Sequence, residues 1–112
     1  MFYTMFGAGG ADMIPDYENA EAITIGATET VNYTAPQNGY IFMWGYSTYG
    51  NIEYYMFIYS SNGVLVQDGV NGATGTTPKR CSLIFPVKKG DVTTLQTKNI
   101  TNNINAYFVP AS

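Results

Sequence analysis

Residues 33–50 read YTAPQNGYIFMWGYSTYG, a proline turn followed by a run with apolar residues on both parities. Successive side chains of an extended chain point to opposite faces. Tyr40, Phe42, Trp44 and Tyr46 therefore share one face, and Ile41 and Met43 the other. A half-buried strand alternates apolar with polar, because only one face meets the core. This strand has two apolar faces. The segment IEYYMFIYS (52–60) repeats the pattern, with Tyr54, Met56 and Ile58 on one side and Tyr55, Phe57 and Tyr59 on the other. As neighbours in one sheet, the two segments describe a sheet buried twice. A parallel sheet between helices would meet that need, but helix signals are almost absent. In a two-sheet sandwich one parity fills the interior, and the other needs a cover from outside the chain, most economically sister subunits. Tyr40, Phe42, Trp44, Tyr46, Tyr55, Phe57, Tyr59 and Tyr107 are accordingly the candidate subunit-interface residues. The pattern leaves open which parity is interior.

The flanking sequence supports an all-β chain. β-branched and aromatic residues dominate, and Gly, Pro and Asn recur at short intervals. Strands are expected at 22–25, 28–34, 40–49, 52–60, 64–67, 80–87, 92–97 and 104–110. The breaks between them carry turn chemistry: Pro36 with Asn38-Gly39, Asn62-Gly63, and Lys89-Gly90-Asp91. The Gly-rich segment 68–78 is expected to be a loop, since its Gly69, Gly72 and Gly75 are too few to form a collagen-like repeat. Eight strands is the number a jelly roll uses.

Composition narrows the function. At 112 residues the chain is one domain, and with charged residues at only 12% it is globular rather than disordered. Residues 1–78 hold seven acids and no Lys or Arg, while 79–112 hold all five bases and one acid, Asp91. The basic part is too small for a nucleic-acid footprint, and it suggests at most attraction between early and late segments across a subunit contact. No apolar run reaches 18 residues, so no membrane helix is expected, and no secretory signal is read at the N-terminus. There is no histidine, which removes His-based triads and metal sites. Cys81 has no His partner and is expected to be a buried, inert thiol. Asp68 beside its glycines is a poor cation site, and the sequons at Asn32 and Asn99 are chance matches. No catalytic residue, metal or cofactor is expected.

Four stretches carry a family resemblance: IPDYENAEAIT (14–24), YTAPQNGYI (33–41), FPVKKGDVTTL (85–95) and AYFVPA (106–111). Together they resemble the small head domains of bacteriophage fibre proteins, head- or tail-attached, from phages of gut bacteria. Those heads share the TNF/C1q-like jelly roll and are typically trimers. The resemblance implies an all-β, eight-stranded antiparallel jelly-roll sandwich over residues 16–112, homotrimeric, in a virion protein. Residues 1–15 form an arm before it. Its apolar tip, Met1, Phe2, Tyr3, Met5 and Phe6, is the candidate anchor onto other virion proteins of the capsid or tail. Exposed Tyr suits recognition at low entropic cost, so Tyr49 and Asn51, at a loop tip, are the candidate contacts to a host-surface glycan. The alternative is a glycan-binding C1q/lectin-like module of a cellular or secreted protein.

Overall fold

A computed structural model describes residues 14–47, 53–61, 63–70 and 79–111. The anchor candidates Met1, Phe2, Tyr3, Met5 and Phe6, and the contact candidates Tyr49 and Asn51, lie outside the described residues. Eight strands are described: β1 (Glu21–Ala22), β2 (Glu29–Thr34), β3 (Gly39–Ser47), β4 (Tyr54–Ser60), β5 (Leu65–Val70), β6 (Lys79–Val87), β7 (Val92–Lys98) and β8 (Asn102–Pro110). One 3-10 turn, Tyr17–Asn19, precedes them.

The strands form two four-stranded antiparallel sheets, a front sheet ordered β1-β8-β3-β6 and a back sheet ordered β2-β7-β4-β5. Only the β4–β5 connection stays within a sheet; every other connection crosses the sandwich, which is the jelly-roll order. β3 and β4 are therefore not neighbours, contrary to the expectation of one doubly buried sheet. β3 pairs with β6 and β8, and β4 with β5 and β7. The reason is covering: two strands that each bring a fully apolar face can bury both by opposing each other across the sandwich.

The parity left open by the sequence is now settled. In β3 the interior face is Gly39, Ile41, Met43, Gly45 and Ser47; in β4 it is Tyr54, Met56 and Ile58. These meet Leu83 and Phe85 of β6, Leu95 of β7, Ile100, and Ala106 and Phe108 of β8 in one core. Full burial of a side chain of this size contributes roughly 1.5–3 kcal/mol. Three polar side chains share the interior, Ser47, Thr93 and Thr97. Thr97 Oγ1 donates to Gly26 O at 2.6 Å and accepts the Glu29 N–H at 3.1 Å, and Thr93 Oγ1 donates to Tyr33 O at 3.3 Å. They hold β7 against the chain entering β2.

Two expected boundaries shift. The first strand spans only Glu21–Ala22, because after Ala22 the chain leaves the ladder toward the other sheet. Ile23 and Ile25 still enter the core, and the Ile23 N–H donates to Ala106 O at 2.8 Å. At the other site, residues 68–70 belong to β5 rather than to a loop. Gly69 lies at φ 129° directly opposite Tyr55, where a Cβ would overlap the Tyr54 carbonyl and Tyr55. That glycine serves a close strand approach.

The two turn motifs seen in the sequence interlock at one end of the sandwich. The Ala35 N–H donates to Asp91 O at 2.9 Å, the Gly90 N–H to Ala35 O at 2.8 Å, and the Lys89 N–H to Asn38 Oδ1 at 3.0 Å. Gly90, at φ 89°, occupies the third position of a turn closed by Asp91 N–H to Lys88 O at 2.9 Å, as a type II turn requires. The segment before β1 and the end of β8 join the same region: Pro15 bridges Ala111, and the Asp16 N–H donates to Pro110 O at 2.7 Å.

Candidate functional site

The outer face of the front sheet is built by alternate residues of four strands. β3 contributes Tyr40, Phe42, Trp44 and Tyr46; β8 contributes Asn105, Tyr107 and Val109; β6 contributes Arg80, Ser82, Ile84 and Pro86; β1 contributes Ala22. Arg80, at one end, is the only charged residue among them. Trp44 stacks on Tyr107 with centroids 5.5 Å apart and planes at 23°, and Phe42 meets Tyr40 edge-on at 6.4 Å. Tyr17, from the 3-10 turn, lies edge-on to Phe42 at 5.8 Å. Val109 is 2% exposed yet stands outside the core cluster, because the segment before β1 covers it on this outer side. Trp44 remains 42% and Ile84 59% exposed. Contiguous apolar surface of this kind marks an association surface.

Trp44 divides this face into two clefts. One is lined by Tyr17, Ala20, Phe42, Trp44, Tyr107 and Val109 and encloses about 330 Å³. It is open and apolar. The other, of about 260 Å³, is lined by Trp44, Gly45, Tyr46, Arg80, Cys81, Ser82 and Asn103. Its shape comes from a β-bulge. Between Trp44 and Tyr46 the register with β8 slips from Asn105 to Asn102, so β8 carries one additional residue. Asn103 turns through φ 51°, and its Nδ2 donates to the Tyr46 hydroxyl at 3.4 Å. Across β3, the Arg80 guanidinium sits 5.7 Å from the Tyr46 ring centroid, a cation–π contact between directly paired residues.

The outer face of the back sheet has a different composition. Tyr55, Phe57 and Tyr59 of β4 run down its middle, with Tyr55 and Phe57 parallel at 6.0 Å. Their cross-strand neighbours are Lys98, Gln96 and Thr94 on β7 and Gly69, Gln67 and Leu65 on β5. Thr30, Asn32 and Thr34 of β2 continue the polar surface. The expected interface set thus divides. Tyr40, Phe42, Trp44, Tyr46 and Tyr107 gather on the front sheet, while Tyr55, Phe57 and Tyr59 occupy the opposite side of the molecule, so no single contact patch holds all eight.

Cys81 is 2% exposed at the edge where β5 and β6 approach. Burial first, and then the Asp68 carboxylate, push its thiol up to about 11. Asp68 itself accepts the Ser82 N–H at 2.9 Å, tying the open edges of the two sheets together. The same burial, followed by Cys81 and Asp68, raises the Tyr54 phenol. Asn99 gives its amide nitrogen to Glu53 O at 2.6 Å, so the second sequon has a committed side chain. Among the described residues no group of His, Cys, Asp or Glu is placed to hold a metal ion. Sequence reasoning missed Tyr17, Ile84, Arg80 and Asn103. Tyr17 and Ile84 look ordinary in the chain, and only pairing with β3 brings Arg80 and Asn103 to Tyr46.

No family model matches the chain, and no curated protein matches it. Among solved structures it is similar to a family 35 carbohydrate binding module from Clostridium thermocellum. The two share 15% identity at a TM-score of 0.39, over 92% of this chain and 94% of that one. The strand order described above, rather than this likeness, defines the fold.

Proposed function

We propose that this chain is a non-enzymatic structural protein of a bacteriophage particle, a homotrimeric jelly-roll head that assembles through the outer face of its front sheet. The single observation that carries the reading is that face itself. Tyr40, Phe42, Trp44, Tyr107, Val109, Ile84 and Tyr17 form an apolar surface with one charge at its far end. A second copy is the occupant such a surface fits, because an uncharged patch meets its own kind without repulsion. The subunit count of three, the virion setting and the anchoring role of Met1, Phe2, Tyr3, Met5 and Phe6 come from the sequence resemblance. Adsorption to a host surface is the outcome such a head serves.

Light scattering on the purified chain tests the assembly: a particle of three chain masses is expected, and a monomer at micromolar concentration would overturn it. Removal of residues 1–12 tests the anchor. The shortened head should still assemble and should be missing from particles imaged by electron microscopy; its continued incorporation would sink the anchoring role.

A further inference from the structure

We infer that the cleft between Trp44 and Arg80 binds an acidic sugar, a pyranose ring carrying a carboxylate. Four features of the cleft converge on that chemistry. Trp44, 42% exposed, presents an indole edge and face that match the C–H surface of a pyranose. Arg80 supplies a planar fork of N–H donors suited to a carboxylate. Its aliphatic stem and guanidinium are steadied by the Tyr46 ring at 5.7 Å, so little freedom is lost when a ligand is held. Asn103 and Ser82 place an amide and a hydroxyl on either side of β3, donors and acceptors of the kind sugar hydroxyls need.

Among the described residues, no side chain fills the cleft. The bulge in β8 draws Asn103 toward the Tyr46 hydroxyl and opens about 260 Å³ beside Gly45, space for a single ring. Beneath the cleft Gly45 faces the interior, where a Cβ would lie 2.6 Å from Ile100 Cγ2. Asp68, on the neighbouring edge strand, accepts the Ser82 N–H at 2.9 Å and is held at the sheet edge. The apolar cleft on the other side of Trp44 is lined by no cation and no side-chain amide, so the two halves of the face have separate work: assembly at one end, ligand at the other. Trp44 borders both halves, so the site rests on an assembly contact centred on Tyr40, Phe42 and Ile84 that leaves the Arg80 side of the indole open.

Trp44 is the chain's one tryptophan, which makes its fluorescence a direct reporter. The full-length protein is titrated with tri-galacturonic and tri-glucuronic acid, with a neutral galactose trisaccharide, and with AMP as a stacking anion of another class. One of the acidic trisaccharides should change the emission saturably, with the neutral one and AMP at least about tenfold weaker. Arg80→Gln should lower affinity about tenfold or more, and raising salt from about 50 to about 300 mM should weaken binding severalfold. Equal response to the neutral sugar, preference for AMP, no response to either acidic sugar, or unchanged binding by Arg80→Gln would each overturn the inference. If circular dichroism shows Arg80→Gln unfolded, the acidic-to-neutral contrast and its salt dependence on the unaltered chain decide. Light scattering on the same samples reports assembly separately, so loss of the trimer and loss of the ligand site are told apart.

Discussion

Both outer faces of the sandwich carry an aromatic stripe along a central strand, and the two have different surroundings. On the front sheet, Tyr40 and Phe42 are flanked by Val109, Tyr107, Ile84 and Pro86, and Trp44, paired with Ser82 and Asn105, stacks on Tyr107. On the back sheet, Tyr55 and Phe57 are flanked by Lys98, Gln96, Gly69 and Gln67, and Tyr59 by Thr94 and Leu65, so polar side chains interrupt the apolar surface beside the stripe. An aromatic stripe one strand wide is ordinary protein surface. The same stripe with apolar neighbours on both sides is a patch that drives association. What separates the faces is therefore the identity of cross-strand partners, a property of register and not of the strand that bears the rings.

The comparison breaks first under charge insertion. Phe42→Asp combined with Ile84→Asp should dissociate the assembly to monomers, costing about 4 kcal/mol or more at two central contact positions. Phe57→Asp on the back sheet should leave the mass by light scattering unchanged. If the two experiments give the reverse result, the association face has been assigned to the wrong sheet.

Parity within the back sheet is the next contrast. Ile58→Ala empties a fully buried site and should cost about 3 kcal/mol in urea unfolding. Its neighbour Tyr59, 46% exposed, should cost less than about 1 kcal/mol when changed to Ala. A smaller effect concerns the edge that keeps the back sheet flat against its partner. Gly69→Ala forces a side chain onto φ 129° against the Tyr54 carbonyl, for an expected loss of about 2 kcal/mol. Hydrogen exchange should then rise in β4 and β5 before β3 and β8.

The smallest effect lies at the seam between the sheets. The Cys81 thiol titrates near 9.0 in an open chain and at about 11 in the fold. Between those values the folded state holds a proton that the unfolded state has lost. The thiol's contribution to stability is thus complete below pH 9 and disappears as pH rises through 11. Cys81→Ala should flatten the fall in stability across that window. Alkylation of the folded protein by iodoacetamide at pH 8 should be slow for the same reason; rapid alkylation would place the thiol outside the core.

Much of the architecture is legible along the chain. The eight strands, the β4–β5 hairpin at Asn62-Gly63, and the turns at 35–39 and 88–91 follow from alternation and from local turn chemistry. So does the burial of Cys81, from the strand-like segment that holds it. The interlocking of those two turns is not legible, because Ala35, Asn38, Lys89 and Asp91 meet only after four strands have been laid down between them. The interface set shows the same limit. All eight rings carry the same signal in sequence, and three of them stand on the far side of the molecule. The asymmetry of charge along the chain also changes meaning. Early β2 pairs with late β7, and early β3 with late β6 and β8, so the acidic and basic segments interleave within one subunit.

The stretch 33–50 by itself determined that this chain is a β-sandwich with an apolar surface to spare, because alternation of side chains is a local property of extended backbone. Which surface is spare was decided by the tertiary structure. Only the pairing of β3 with β6 and β8 sets Ile41 and Met43 inward, and only that pairing gives Tyr40 and Phe42 apolar neighbours while giving Tyr46 a guanidinium. Cross-strand contacts join residues that lie tens of positions apart, and no periodicity within one segment encodes its partner.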